Sequence, residues 1–433
     1  MKKYYIETYG CQMNVYDSEL VAGILNGEGY EATAYPEEAD LLLINTCSVR
    51  EHAEDKVHSR LGEFSHFKQE NPDVLIGVIG CMAQNLKKKL IQKKPYVNFI
   101  IGPDGYRHLP LILEEAPRKK HIVDTKLSRF EVYDELFPAR NEGINAWISI
   151  MRGCDKFCSY CIVPYTRGRE RSRSLESVVN EARQVIAQGF REITLLGQNV
   201  NSYRHEKHRF PDLLKAVAEV DGVTRLRYTS PHPQDADQAL FDVHRDYYPV
   251  VCNHIHLPVQ SGADAVLQAM NRSYSRDHYL RLVEQIRESI PDVAISTDMI
   301  VGFPGEKVQD FEDTLNLMEK VRFDAAFMFK YSERPGTKAA LLADDVSEEE
   351  KDRRLQAMIA LQREHTLAQN QRHIGKEESI LVEGFSRKTK AEMMGRTTHN
   401  KIVIFPAKDY QPKQLIHRSI SDARGVTLFA MED

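Results

Sequence analysis

The chain has 433 residues, 42% of them hydrophobic, and a formal net charge of -5, enough length and apolar content for two or three packed domains. A net negative chain has no overall attraction for a polyanion, so any nucleic-acid contact must come from local basic patches. No apolar run reaches the roughly 18 residues that suggest a membrane span, and MKKYYIETYG lacks the apolar core of a secretion signal, so the chain reads as cytoplasmic with no membrane partner.

Three apolar, strand-like runs open the sequence: KYYIETYGC, ADLLLINTC and DVLIGVIGC. Each ends in a cysteine (Cys11, Cys47, Cys81) and leads into a stretch with apolar residues at helical spacing, such as DSELVAGILNGEGY. Repeated strand and helix units predict a parallel α/β sheet. Parallel strands end at one edge, where open α/β folds place their ligands, so the three cysteines are expected to converge. The charged, proline-bearing stretch EEAPRKKHIVDTKLSRFEVYDELFPARNEG marks a boundary near residue 140.

Beyond it come six further candidate strands: AWISIMRG, REITLLGQNV, TRLRYTSPHP, NHIHLPVQSG, DVAISTDMIVGF and DAAFMFKYSERPG. They alternate with helices such as SLESVVNEARQVIAQGF, which predicts a barrel or partial (β/α)6 barrel whose chemistry lies on the loops after the strands. After the long polar helix SEEEKDRRLQAMIALQREHTLAQNQRH, short β runs predict a small β domain. The expected units are therefore 1–140, 141–371 and 372–433. From residue 371 onward the chain has 11 Lys and Arg against 8 Asp and Glu, a basic end on an acidic protein.

The seven cysteines are odd in number and dispersed, which does not suit a disulfide framework and points to metal ligation or catalysis in a reducing compartment. Cys154, Cys158 and Cys161 have the spacing C-x3-C-x2-C directly after the first strand of the second series. Structural zinc would need a fourth Cys or His, and the loop holds none. Three thiolates on a four-iron cluster leave one iron open to an exogenous ligand, and that is the favoured reading over zinc or inert thiols. Cys252, in the apolar run YYPVVCNHIH, is expected in the core.

This cysteine spacing at the head of a βα barrel resembles the radical S-adenosylmethionine (SAM) superfamily. The motifs ETYGCQMNVYDSE, INTCSVREHAEDK, GCMAQ, RGCDKFCSYCIVPYTRGRERSR, LLGQNVNSY, SPHP, HLPVQSG, MNRSYS, STDMIVGFPGE and YSERPGTKA, running from residue 4 in this order, resemble its methylthiotransferase family, most closely the MiaB-type branch. The resemblance implies an N-terminal methylthiotransferase domain, a radical SAM core and a C-terminal RNA-binding TRAM β-barrel. It implies two [4Fe-4S] clusters, an auxiliary one on Cys11, Cys47 and Cys81 and a SAM-binding one on Cys154, Cys158 and Cys161. Gln198, Asn199, Ser230, Gln260, Thr297 and Asp298 are expected around SAM, with Phe329 near the adenine or the substrate base. The implied activity is methylthiolation at C2 of an N6-prenylated tRNA adenosine beside the anticodon. The alternatives are a sister enzyme acting on a threonylcarbamoylated tRNA adenosine or a ribosomal-protein aspartate, and a non-catalytic metal-containing RNA-binding protein. An electron donor such as a flavodoxin-type protein, and a monomeric state, complete the expectation.

Arg167, Arg169, Arg171 and Arg173 alternate after the cysteine loop, and an extended stretch would put all four on one side to meet phosphates. In the β domain, SRKTK and GRTTHNK place Arg387, Lys388, Lys390 and Arg396 where they could grip an RNA backbone.

Overall fold

Alternation in the first strands decides the architecture of the N-terminal unit. In the computed structural model, which describes residues 1–47, 51–140 and 143–431, the strands are β1 (Lys2–Tyr9), β2 (Tyr30–Ala32), β3 (Leu41–Thr46), β4 (Leu75–Gly80), β5 (Phe99–Ile101) and β6 (Ile122–Asp124). All pair in parallel, in the order β2-β1-β3-β4-β5-β6. In β3, Leu41 and Leu43 enter one core beneath α1 (Gln12–Gly27). Leu42 and Ile44 enter a second core on the other face, with Val57, Leu61 and Phe64 of α2 (Glu51–Glu70). A strand covered on both faces reads as a near-continuous apolar run, and LLLINT and LIGVIG are buried throughout, with only Asn45 and Thr46 polar. Short helices α3 (Cys81–Leu86), α4 (Lys88–Lys93) and α5 (Leu109–Glu115) complete the layers. The chain order reverses between β1 and β3, the switch point at which open α/β sheets form their ligand crevice.

The second series is an arc of six parallel strands in chain order. β7 (Asn145–Ser149), β10 (Glu192–Leu196) and β13 (Arg225–Tyr228) form one half; β14 (His254–His256), β15 (Ala294–Val301) and β16 (Ala325–Lys330) form the other. A parallel bridge between Leu226 and Val251 joins them. Between β7 and β13 lie the two-residue strands β8 (Met151–Arg152) and β9 (Arg171–Ser172), which pair antiparallel, and the hairpin β11 (Arg204–His205) and β12 (His208–Arg209). Leu226, Ile255, Ile295 and Met299 pack outward with the helices α7 (Leu175–Ala187), α8 (Phe210–Ala218), α9 (Gln238–Asp246), α11 (Arg276–Ser289) and α12 (Val308–Val321). Their alternate neighbours Arg227, His254, His256, Ser296, Asp298, Phe327 and Phe329 therefore line the concave face. Contacts there bear this out: the His256 ring lies 3.0 Å from Ser296 Oγ and 3.4 Å from Asp298, and packs edge-on against Phe327. Cys252 is buried, as expected, and burial pushes its thiol up. The partial barrel read from the sequence is thus present.

The helix α13 (Glu348–Gln371) leads into a closed five-stranded barrel, β17 (Glu377–Phe385), β18 (Glu392–Arg396), β19 (Ile402–Pro406), β20 (Leu415–Arg424) and β21 (Thr427–Ala430), in the order β17-β18-β19-β21-β20. Its β18–β19 turn is a plug. Thr397, Thr398, His399 and Lys401 are buried because the turn enters the amino end of the arc. There Arg227 donates to the carbonyls of Thr397 (2.8 Å) and Thr398 (3.2 Å), Arg225 donates to the carbonyls of Arg396 and Ser379, and Lys401 pairs with Asp324 at 2.7 Å. Arg396, expected on RNA, instead pairs half-buried with Glu383 at 2.8 Å. The GRTTHNK motif holds two units together.

Beside the plug, His373, Glu378 and His399 form a buried trio, with Glu378 Oε1 2.6 Å from His373 and Oε2 3.6 Å from His399. Burial alone would raise the Glu378 carboxyl, but hydrogen bonds to the two imidazoles overrule it and hold it down to about 2. A carboxyl whose folded pKa is depressed contributes stability above its unfolded value, about 4.3, and loses that contribution as pH falls through the folded value. Acid unfolding should accordingly steepen between about pH 4.5 and 2, and Glu378→Gln should flatten that limb. Thermal melts of both chains across this range provide the check.

Candidate cluster sites and the arginine network between them

Cys11, Cys47 and Cys81 follow β1, β3 and β4, the strands at and beside the switch point. Cys11 caps α1, with its amide and thiol facing Asn14 Oδ1 at 3.4 Å, and Cys81 begins α3. Gly80 turns the chain between β4 and Cys81 at φ +92, where a β-carbon would sit 2.3 Å from Asn45 Oδ1; only glycine takes this conformation without strain. Asn14 and Asn45 hydrogen-bond to each other at 3.0 Å, tying the first residues of α1 to the end of β3. The Cys11 thiol falls to about 6, chiefly through its hydrogen bond with Cys47, while burial raises Cys81.

Cys154, Cys158 and Cys161 lie on the loop after β8. Gly153 opens it at φ +79, with a virtual β-carbon 2.1 Å from the Arg169 carbonyl, and its amide donates to Gln198 Oε1 at 2.6 Å. The far side of the loop is clamped by residues 269–272. Ser159 donates to the carbonyls of Met270 and Ala269, Asn271 Nδ2 donates to the Phe157 carbonyl, and Arg272 reaches Cys158 Sγ at 3.4 Å. Burial pushes the Cys154 thiol up to about 11 and Cys161 to about 12. Thiols this reluctant to ionise in water become thiolates when a metal takes the place of their protons. Two groups of three cysteines, with a cationic guanidinium beside each, suit two anionic iron-sulfur clusters.

The proposed SAM residues divide. Gln198 holds the cysteine loop. Asn199 donates to Asp235 at 2.8 Å while its own Oδ1 is buried without a partner, and Lys156 of the cysteine loop meets Asp235 at 2.7 Å. Ser230 and Gln260 occupy left-handed backbone, at φ +59 and +73, at the strand ends that face this loop. Asp298 and Phe329 share the concave face, Phe329 being 53% exposed on an edge strand. Thr297 does not join them. It is mid-strand with the opposite parity, fully buried, and its hydroxyl is engaged with the Val259 amide and Leu257 carbonyl.

The arginine series is the main correction. Arg167 ends helix α6 (Val163–Arg167), and only Arg171 and Ser172 form a strand, so the four do not alternate on one face. Arg167, Arg171 and Arg173 are buried. Asp17 of α1 accepts Arg152 at 3.0 Å and Arg167 at 2.8 Å; Asp104 accepts Arg171 at 2.8 Å. Arg173 pairs with Glu181, which also takes Arg140. These side chains bolt the N-terminal sheet to the arc and do not reach phosphates. Arg169 alone stays exposed, over Phe157 and 2.7 Å from Asp155. Arg387, Lys388 and Lys390 are exposed on the β17–β18 turn beside the exposed Phe385.

Sequence reasoning passed over Asp17, Asp104, Asn271 and Arg272. The motif MNRSYS was visible, and its spacing alone does not reveal that it grips a loop more than 100 residues away.

Comparison places this architecture among known proteins. Residues 3–102 match the model of the uncharacterized protein family UPF0004 and residues 148–318 that of the radical SAM superfamily. The chain is 51% identical to a tRNA-2-methylthio-N(6)-dimethylallyladenosine synthase of Porphyromonas gingivalis over 99% of this chain and 94% of that protein. It is 46% identical to the enzyme of that name from Carboxydothermus hydrogenoformans over 100% and 98%. Among solved structures, the radical SAM methyltransferase TsrM of Kitasatospora setae, which has cobalamin and a [4Fe-4S] cluster bound, shares the fold at a TM-score of 0.59 and 15% identity, covering 81% of this chain and 78% of that one. With two cysteine trios set at strand ends and full-length relatives of this kind, the chain belongs to the tRNA-2-methylthio-N(6)-dimethylallyladenosine synthases, a family within the radical SAM superfamily.

Proposed function

We infer that this protein methylthiolates C2 of N6-dimethylallyladenosine next to the anticodon of tRNA, and that residues 1–140, 141–371 and 372–433 act as its methylthiotransferase, radical SAM and TRAM units. The observation that carries the reading is the cysteine loop clamped between Gln198 and Arg272 at the mouth of the arc, with a second trio at the neighbouring switch point. Cys154, Cys158 and Cys161 would hold the cluster that binds SAM, and Cys11, Cys47 and Cys81 the auxiliary one. When bound, these groups supply one-electron cleavage of SAM and the sulfur chemistry; the protein supplies placement and exclusion of water.

The clamp fixes the loop against both the GQN and MNRS segments, so a cluster held by its three cysteines would open toward the strand ends, beside the concave wall that carries Asp298, His256 and Phe329. Asn199, whose Oδ1 has no partner among the described residues, Ser230 and Gln260 would orient SAM. An exposed aromatic on that wall suits a splayed anticodon-loop base, which proteins read by stacking and edge contacts. No general base is required at C2, because a hydrogen on that carbon is not acidic.

Arg169, Arg387, Lys388 and Lys390 are the proposed backbone contacts. Changing the last three together to glutamine should weaken tRNA binding and reduce the slope of log K against log salt by about one for each phosphate that is no longer neutralised. Filter binding between 50 and 200 mM salt measures both. A chain whose slope is unchanged places the RNA elsewhere.

Among the described residues no helix is long and apolar enough to cross a membrane; a cytoplasmic monomer served by a flavodoxin-type donor fits the reading. The decisive experiment incubates the reconstituted protein anaerobically with prenylated tRNA, SAM and reductant, and analyses the nucleosides by mass spectrometry. The 2-methylthio product establishes the reaction. Its absence beside abundant 5′-deoxyadenosine redirects the substrate to a threonylcarbamoylated adenosine or a ribosomal-protein aspartate.

A further inference from the structure

The buried ion network between the two cysteine sites does not balance. Among the described residues Arg152, Arg167 and Arg171 bring three guanidiniums, while the carboxylates they meet are two, Asp17 and Asp104. All five are buried. Asp17 uses Oδ1 for Arg152 and Oδ2 for Arg167, with the Tyr106 hydroxyl 3.3 Å from Oδ2. Asp104 takes Arg171 and the Ser128 amide. One positive charge is left over within this network, and a buried charge without a partner is costly.

The surplus has a location. Among the described residues Arg167 Nη1 is buried with no oxygen or nitrogen partner, while Nη2 is held on Asp17 and the guanidinium reaches toward the Cys81 thiol. Helix α6, which Arg167 ends, packs against α3, which Cys81 begins, and Asp17 lies on α1, which Cys11 caps. The guanidinium therefore lies close to both Cys11 and Cys81, nearer to the Cys81 thiol, with which it hydrogen-bonds. Its charge also acts on both of those thiols, against the effect of burial on Cys81. An oxidised four-iron core carries two positive charges and three thiolates carry three negative ones, so a cluster on this trio would bring the single negative charge that the network lacks.

Resting on the two-cluster reading above, we propose that Arg167 is the charge partner of the auxiliary site: its Nη1 donates to a sulfur of the cluster held by Cys11, Cys47 and Cys81, and its charge sets how readily that cluster accepts an electron. Arg167 is a positioning residue, not a catalytic one. It follows Cys161 by six residues, so one short segment supplies both the last ligand of the SAM-binding trio and the cation beside the auxiliary trio.

The test uses the full chain with Cys154, Cys158 and Cys161 all changed to alanine, reconstituted anaerobically so that only the auxiliary site holds iron. Iron and sulfide are quantified, and the midpoint potential is followed by an EPR-monitored redox titration. Reduction adds negative charge beside a cation, so Arg167→Gln should shift the midpoint to lower potential, Arg167→Lys should stay near the parent, and Arg171→Gln, a change in the same network one ion pair further away, should leave it in place. Loss of the cluster from Arg167→Gln but not from Arg171→Gln supports the proposal equally, since the charge is then needed to hold the cluster at all. An intact cluster with unchanged potential in Arg167→Gln, or equal loss in both variants, overturns it. Failure of the parent itself to take up iron overturns instead the reading of Cys11, Cys47 and Cys81 as ligands.

Discussion

Asp17→Ala is expected to destabilise the protein by on the order of 3–5 kcal/mol, the scale seen when one partner of a buried ion pair is removed. The Asp17 side chain is fully buried, and the substitution strands two guanidiniums that are themselves 1% and 3% exposed. Among the described residues neither has a second carboxylate free to take over: Arg152 lies 3.9 Å from Asp104, which is already engaged by Arg171. Because Asp17 belongs to the N-terminal sheet unit and both arginines to the arc, the loss falls on the contact between them. The urea midpoint should drop, and limited proteolysis should cut first in the 125–140 segment that joins them. A midpoint shift corresponding to less than about 1 kcal/mol would mean that the network contributes no more than a surface pair does.

The other large effect is chemical. With Cys154, Cys158 and Cys161 replaced together by alanine, release of 5′-deoxyadenosine from SAM under reducing conditions should fall to background, while iron bound at the N-terminal trio remains. No other cysteine is placed to substitute: Cys252 is buried beside β13, its amide on the Leu226 carbonyl, and the remaining three lie at the ends of β1, β3 and β4 in the N-terminal sheet. Far-UV circular dichroism should be unchanged, because the loop is held by Gln198, Asn271 and the Ser159 contacts and not by the thiols. SAM cleavage that survives the triple change would falsify the assignment of the SAM-binding cluster to this loop.

Much of the fold was legible because its signals are local. Apolar runs ending in cysteine announced a parallel sheet, and six strand and helix alternations announced the arc. The convergence of Cys11, Cys47 and Cys81 followed from strand direction alone. What failed were readings that depend on distant partners. The arginines at 167, 171 and 173 looked like a solvent-facing stripe because their acids lie up to 150 positions away in sequence. Thr297 was grouped with Asp298 although adjacent residues of a strand face opposite sides. GRTTHNK looked like an RNA grip because buried backbone carbonyls that accept from Arg225 and Arg227 leave no trace in composition.

The plug formed by the β18–β19 turn also limits how the substrate is presented. A β-barrel on a flexible tether would sample many positions and raise only the local concentration of whatever it held. Here the turn is seated in the amino end of the arc, so the basic β17–β18 turn stays at a set reach from the cysteine loop at the opposite, carboxyl end. With RNA bound at that turn, as proposed, the molecule would work as a calliper. RNA held at one jaw would bring to the other only a nucleotide at a matching distance along a folded stem and loop, making selection of the modified position a measurement of length and shape before any base is read.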